Sequence, residues 1–582
     1  MQTLEGAFQL LFPDAPRSLS SFSEPPALPA DIFAFAGYIL DGSSAYHHVA
    51  PDNGPPIGSH QLTVDDTLRD RAIKVGKQWR ENATEPGKLP SVPQHVTELW
   101  RQLADHAHQD VHSGPLIGKE LPRWWIVLLE LFMIADEASQ DVGFVLNNVF
   151  YAPVLEAFTQ EDVVSGREFR RVQSGTITLS TADTSVLCVQ PKSRTPSVGC
   201  TMRSMSHHLA LLPRSGEVSA RWQTPVFGEP AADAGALGLL LIPFPYRIQP
   251  EAFVAGGNVK SRWGWFDVEQ RWLPAESDKS GRKAFVDFVL ELTRAARRAG
   301  KRVDGVVLPE LSLDYALFAQ LAKAMSEEGK VDFLIAGISD RESRKGNFVA
   351  IAPFFQFEGA TDDSGLSFRI REKHHRWKLT KDQIEAYGIG DALSTDRNWW
   401  EHLDLLERDL DLFVYRGGTS LTTLICEDLA RVDPCQVVLR SIGPNLVIAL
   451  LMDGPQLEGR WPGRYATVLA EDPGSSVLTF TSLGLIERQN AQQLEKPNTQ
   501  QRFPLSSSVG LWKDEANGVQ RLELPRSADA ICLQLKAASK TEHTLDGRSD
   551  GEYAHRWVFE NYFGITAVPN KRPKWIPTGE AR

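Results

Sequence analysis

The sequence predicts a layered α/β domain over about residues 231–540. A mainly helical, mixed α+β region (1–230) precedes it, and a C-terminal tail (541–582) follows. Three observations lead there. Runs such as Leu237-Gly238-Leu239-Leu240-Leu241-Ile242 and Gly305-Val306-Val307-Leu308 are continuously apolar, as strands buried on both faces are. Amphipathic segments at helical spacing separate such runs. Glu310, Lys373 and Cys426 each follow a strand-like segment, the place where α/β folds carry their reactive groups. At 582 residues the chain exceeds what one core organises, so more than one domain is expected.

Taken in order, residues 65–79, 96–106 and 124–138 have helical spacing, and Thr176–Leu179 and Val186–Val189 are strand-like. This first region carries no motif. The strand 237–242 ends at Pro243 and Pro245, and a polar insertion runs on through Pro274. Ser280 is placed to cap a helix reaching Ala299, with Gly300 as its stop. The strand Val306–Leu308 leads into Pro309-Glu310-Leu311; a helix over Tyr315–Glu328 and strands over Phe333–Ile338 and Asn347–Ala352 follow. Trp399-Trp400 reads as a packed helix start. Buried strands are expected at Leu421–Ile425, Asn445–Leu451 and Val477–Thr481, with Ala528–Leu535 closing the domain.

Composition narrows the function. Hydrophobic content of 42% and charged content of 23% describe a folded globular chain. A net charge of −12 disfavours nucleic acid as a partner, and Lys571, Arg572 and Lys574 read as a solvated end. The most apolar stretch, Trp124–Ala135, contains Glu130 and falls short of the roughly 20 residues a membrane span needs. With no secretory leader and five scattered cysteines lacking any Cys-x-x-Cys pair, the expected setting is a reducing cytoplasm, without disulfides or a zinc site. Ser206-His207-His208 is a poor metal pair, since adjacent side chains diverge. No phosphate-binding G-x-x-x-x-G-K-[ST] loop is present, so no cofactor is implied.

The chemistry rests on Glu310, Lys373 and Cys426. A thiol becomes a strong nucleophile as thiolate, so it needs a base or a nearby cation. A carboxylate serves as that base, and an ammonium stabilises the charge that develops when sulfur attacks an amide or nitrile carbon. Singly, each residue has an ordinary reading: Cys426 as a small core residue, Glu310 as a loop carboxylate, Lys373 as one of a charge run.

Together, Leu308-Pro309-Glu310-Leu311-Ser312, Arg371-Glu372-Lys373-His374-His375 and Ile425-Cys426-Glu427-Asp428 resemble, in that order, the Glu, Lys and Cys motifs of the nitrilase (carbon–nitrogen hydrolase) superfamily. Gly337 with Asn347, Tyr387-Gly388-Ile389-Gly390, Arg464-Tyr465-Ala466 and Thr481-Ser482-Leu483-Gly484 are similar to its supporting elements. The resemblance covers about Leu237–Leu535. It implies a nitrilase-like four-layer αββα sandwich, a homodimer or larger homo-oligomer, and catalysis without metal or organic cofactor. Glu310 would be the base, Cys426 the nucleophile, and Lys373 with the backbone N–H of Glu427 the stabiliser of the tetrahedral intermediate. The family's second glutamate is expected at Glu385, with Gln383 as the alternative. Lys378 and Lys381 compete with Lys373, and Asp453 is a candidate to face the substrate. Thr481-Ser482 stands where an Asn is common, and the insertion between Tyr246 and Ser280 is long.

The implied activity is hydrolysis of a small amide or nitrile, with amides favoured as the broader class. Ile-Cys-Glu-Asp also resembles the glutaminase part of NAD synthetases, whose nucleotide-binding half has no counterpart here. The alternative is a sensor or assembly module of a bacterial multi-gene, phage-defence-like system, with residues 1–230 binding a partner.

Overall fold

A computed structural model describes residues 2–13, 22–51, 61–82, 90–112, 121–144, 178–194, 199–214, 218–227, 235–256, 262–341, 344–354, 368–416, 418–495, 505–549, 551 and 554–577. Two seven-stranded mixed sheets form the larger part. The first runs, in spatial order, Arg369–Glu372, Arg344–Pro353, Phe333–Arg341, Gly305–Leu313, Ala236–Leu241, Ala530–Lys540 and Ala554–Ile565. The second runs Gly518–Glu523, Ser508–Asp514, Ser476–Thr481, Leu446–Leu451, Thr419–Ile425, Asp409–Tyr415 and Ser219–Phe227.

The apolar runs explain this arrangement. Val306 and Leu308 of the first sheet share one core with Ile448, Leu450 and Phe480 of the second. Central strands such as Leu446–Leu451 are buried at every residue, so each also needs apolar cover on its other face. Helices Lys279–Arg298 and Tyr315–Glu328 supply cover for the first sheet, and Val437–Ile442 and Trp461–Glu471 for the second. The first of these helices starts ahead of Ser280: Asp278 is its cap, accepting the Gly281 N–H at 2.9 Å.

Two domain boundaries differ from expectation. Of the expected tail 541–582, the described residues up to Pro577 belong to the fold. Ala554–Ile565 pairs along its length with Ala530–Lys540, Arg572 pairs with the buried Asp529, and Trp575 stacks on Phe285 at 6.1 Å. As an edge strand with exposed polar positions (Glu560, Asn561), it lacks the apolar run that marks its neighbours. The second sheet begins before residue 231, because Ser219–Phe227 pairs in parallel with Asp409–Tyr415.

The first region has its own core, built by helices Leu4–Leu11, Pro29–Gly42, Asp66–Glu81, Gln94–Ala104 and Arg123–Ala138. A hairpin of Leu187–Pro191 and Leu209–Pro213 joins it to the second sheet. Leu187, Val189 and Leu209 enter the helical core; the alternate residues Cys188, Ala210 and Leu212 pack with Trp222 and Leu412. One strand pair therefore seals two cores. Of the strand-like Thr176–Leu179, residues 176 and 177 lie outside the described residues, and Thr178 and Leu179 are not in a strand.

Arg548 fastens the same junction. Fully buried, its guanidinium meets Asp136 at 3.0 Å, Glu137 at 2.9 Å and Asp546 at 2.9 Å, and donates to the Met205 carbonyl at 2.7 Å. His207 and His208 donate backbone N–H groups to Asp136. The His pair is thus part of a structural cluster, and among the described residues no group of His, Cys, Asp or Glu is arranged to hold a metal ion. Arg548→Met strands the carboxylates in an apolar interior, and a loss of about 3–5 kcal/mol is expected in chemical denaturation. A loss below about 1 kcal/mol would place the junction's stability in the hairpin packing instead. Among the described residues, no helix is long and apolar enough to cross a membrane.

Candidate active site

Glu310 owes its position to a break in the ladder. Ala336 pairs with Leu308, but Ile338 pairs with Leu313, so Pro309–Ser312 bulges out opposite Gly337. Leu311 takes a left-handed conformation, φ +54°, uncommon for a branched side chain. The bulge drives the backbone against Gly337, where a Cβ would lie 2.4 Å from the Glu310 Cα. Only glycine fits there.

Lys373 follows Arg369–Glu372 at the edge of the same sheet, and its N–H donates to the Asn347 carbonyl at 2.9 Å. Its ammonium, wholly buried, donates to Glu310 Oε1 at 2.8 Å and to Glu401 Oε2 at 2.7 Å. The Asn347 amide donates to both carboxylates at 2.7 Å, and the Trp377 N–H donates to Glu401 at 2.9 Å. Asn347 and Lys373 thus join the two glutamates in a closed quartet. Glu310 Oε2 remains buried without a partner.

Cys426 stands between Thr419–Ile425 and the short helix Glu427–Ala430, with φ +45° and ψ −107°. For a non-glycine residue this conformation costs on the order of 1–3 kcal/mol. The neighbouring ladder holds it: Ile425 is in register with Leu450, and the Cys426 N–H donates to the Leu450 carbonyl at 2.9 Å. Glu427 opens the helix, so its N–H lacks an intrahelical acceptor, while its side chain turns to Arg431 at 2.7 Å. Beneath the turn, Asp428 accepts from Arg371 at 3.2 Å and from the His374 N–H at 3.0 Å. This buried pair ties the segment after Lys373 to the segment after Cys426.

Electrostatics follow from burial. Desolvation and then the Glu310 charge push the Cys426 thiol well above its ordinary value, with Lys373 opposing. Desolvation likewise raises Glu310, again opposed by Lys373. Burial works against the Lys373 charge, but Glu310 and Glu401 outweigh it and keep the ammonium protonated. Burial thus favours the neutral form of the Cys426 thiol and raises the basicity of Glu310, while the two glutamates favour the Lys373 ammonium.

Asp453 lies just past Leu446–Leu451, beside the Cys426 strand, and Thr481 exchanges hydrogen bonds with its backbone at 3.0 and 2.8 Å. Its Oδ1 accepts from Tyr387 at 2.6 Å and Arg460 at 2.8 Å, while Oδ2 is buried and without a partner. Cys426 feels the Asp453 charge.

Glu385 is not in this group. It is half-exposed on the short helix Lys381–Ala386, facing Lys381 at 3.8 Å, and Gln383 completes that helix's capping box with Thr380. The second carboxylate against Lys373 is Glu401. Nor does Lys378 reach the quartet; its ammonium sits 5.5 Å over the Trp400 ring. Trp399-Trp400 reads as a helix start, which hides Glu401. These residues form a strand, Asn398–Glu401, in which Trp399 and Glu401 point inward.

No family model and no curated protein matches the chain. Among solved structures it is similar to an amidase of the nitrilase superfamily from Nesterenkonia AN1, at 12% identity over 57% of this chain and 95% of that one, TM-score 0.31. A form of the Nesterenkonia amidase with the acetamide moiety of fluoroacetamide added covalently at its active-site cysteine is 11% identical over 57% and 95%, TM-score 0.30. The glutamine-dependent NAD+ synthetase from Acinetobacter baumannii is 11% identical over 56% of this chain and 48% of that one, TM-score 0.29.

Proposed function

We propose that the chain is a cysteine-dependent carbon–nitrogen hydrolase of the nitrilase type, acting on a small amide, and that its paired sheets with their outer helices are the family's four-layer αββα sandwich. One observation carries this reading: a buried ammonium gripped by Glu310 and Glu401, electrostatically coupled to a thiol on a strained strand-to-helix turn. A structural salt bridge needs no thiol at its side, and a core cysteine needs no strained backbone.

Glu310 takes the thiol proton as Cys426 Sγ attacks the amide carbon, so the proton moves as the C–S bond forms. The oxyanion is stabilised by Lys373 and the Glu427 N–H. The protonated Glu310 returns the proton to the leaving nitrogen, ammonia departs, and a thioester remains. Water, deprotonated by Glu310, attacks the thioester; the carboxylic acid leaves and the thiol is restored. Glu401 and Asn347 are positioning residues that hold Lys373 and Glu310. The free oxygen of Asp453 is suited to an N–H group of the substrate.

Glu310 acts only when ionised, and burial raises its pKa. Activity should therefore fall as pH drops through a value above the ordinary carboxylate pKa of about 4.3. The pH profile of kcat/KM for ammonia release from an amide panel checks this. An acid limb at or below 4.3, or no ammonia from any amide, would count against the reading.

A further inference from the structure

The insertion after Tyr246 contributes a site outside the quartet. Two of its segments, Phe253–Gly256 and Trp263–Val268, form a four-stranded sheet with Asn398–Glu401 and Lys378–Leu379. Alternation divides the sheet's faces. Phe266, Trp399 and Leu379 pack inward. Trp263 and Trp265 point outward and are 56% and 41% exposed. Trp265 is in register with Trp400, whose ring is 6.5 Å from that of Trp263. The three tryptophans, with Arg376, Arg408 and Arg431, line a cavity of about 860 Å³.

Among the described residues no carboxylate lines this cavity, although the chain carries a net charge of −12. Arg376 lies over Trp265 at 5.5 Å and donates to the Leu403 carbonyl at 2.6 Å, while its Nε is buried without a partner. Arg431 is paired with Glu427. Exposed tryptophan faces cost free energy unless something covers them. Planar rings stack on such faces, and guanidinium forks match phosphate oxygens. The volume is that of a small-molecule site.

We propose that this pocket binds a nucleotide, its base stacked on Trp263 and Trp265 and its phosphates held by Arg408 and Arg431. Its walls continue into the quartet and the Cys426 turn: Arg376 stands three residues after Lys373, Trp400 immediately precedes Glu401, and Arg431 follows the helix Glu427–Ala430. A bound nucleotide touches all three segments.

The test titrates the full chain with ATP, adenosine and tripolyphosphate separately, by calorimetry and tryptophan fluorescence. ATP is expected to bind and to quench, with adenosine and tripolyphosphate each at least about tenfold weaker. Trp263→Ala and Arg408→Glu, both on exposed positions, should each weaken ATP at least about tenfold with an unchanged circular dichroism spectrum. Failure of ATP to bind at millimolar concentration would overturn the proposal, as would binding indifferent to both substitutions. A wild-type dimer that Trp263→Ala splits, with no ATP binding, would assign this face to a second copy of the chain.

Discussion

Replacing Cys426 by alanine is expected to lower ammonia release from any amide the protein hydrolyses by about 10⁴-fold or more. The nucleophile is the one group the proposed chemistry cannot replace, because it forms the covalent bond to the acyl carbon. Folding should survive. Cys426 is 2% exposed and its turn is held by the Leu450 carbonyl rather than by the side chain, so alanine keeps both the hydrogen bond and the strained backbone. Steady-state ammonia assay with thermal denaturation checks both halves. Residual activity above about one part in a hundred, in a well-folded variant, would mean that another group attacks.

Glu401→Gln has the second-largest expected effect, a loss of about 10²- to 10³-fold in kcat. The amide keeps the shape and can still accept the Trp377 N–H, but the negative charge against Lys373 is gone. Lys373 then shifts its attraction to Glu310. The Glu401 charge also raises the Glu310 pKa, so its removal makes Glu310 a weaker base. The acid limb of the pH profile should therefore move to lower pH as the rate falls, a signature that a purely structural defect does not give. Glu385→Gln, on the solvated helix, should stay within about twofold of wild type. Equal behaviour of the two variants in a kcat and pH-profile comparison would contradict the assignment of Glu401.

Much of this site was legible in the sequence. Glu310, Lys373 and Cys426 stand at the ends of strand-like segments, and a polar or reactive residue stands out against such a background. The supporting residues were less visible for physical reasons. Glu401 belongs to a strand of four residues whose own ladder partner at that position, Phe266, lies far away in sequence, and adjacent tryptophans fit a helix as well as a strand. Glu385, where the resemblance places the second glutamate, lies on a capped helix entered through Thr380, and closeness to Lys373 along the chain does not become closeness in space. The strand Ala554–Ile565 shows the same limit: half-exposed, it carries polar residues where a central strand carries valine and leucine. The clamp at Arg548 joins residues some four hundred positions apart, which no local pattern announces.

The central claim is that Cys426 carries the acyl group during turnover. The most direct measurement is intact-protein and peptide mass spectrometry of acid-quenched reactions with a panel of small amides and nitriles, with wild type beside Cys426→Ala. The account predicts a substrate-dependent mass increase equal to the acyl group, located on the peptide containing Cys426 and absent from the variant. Ammonia release without any adduct on that peptide, or an adduct retained in the variant, would contradict it.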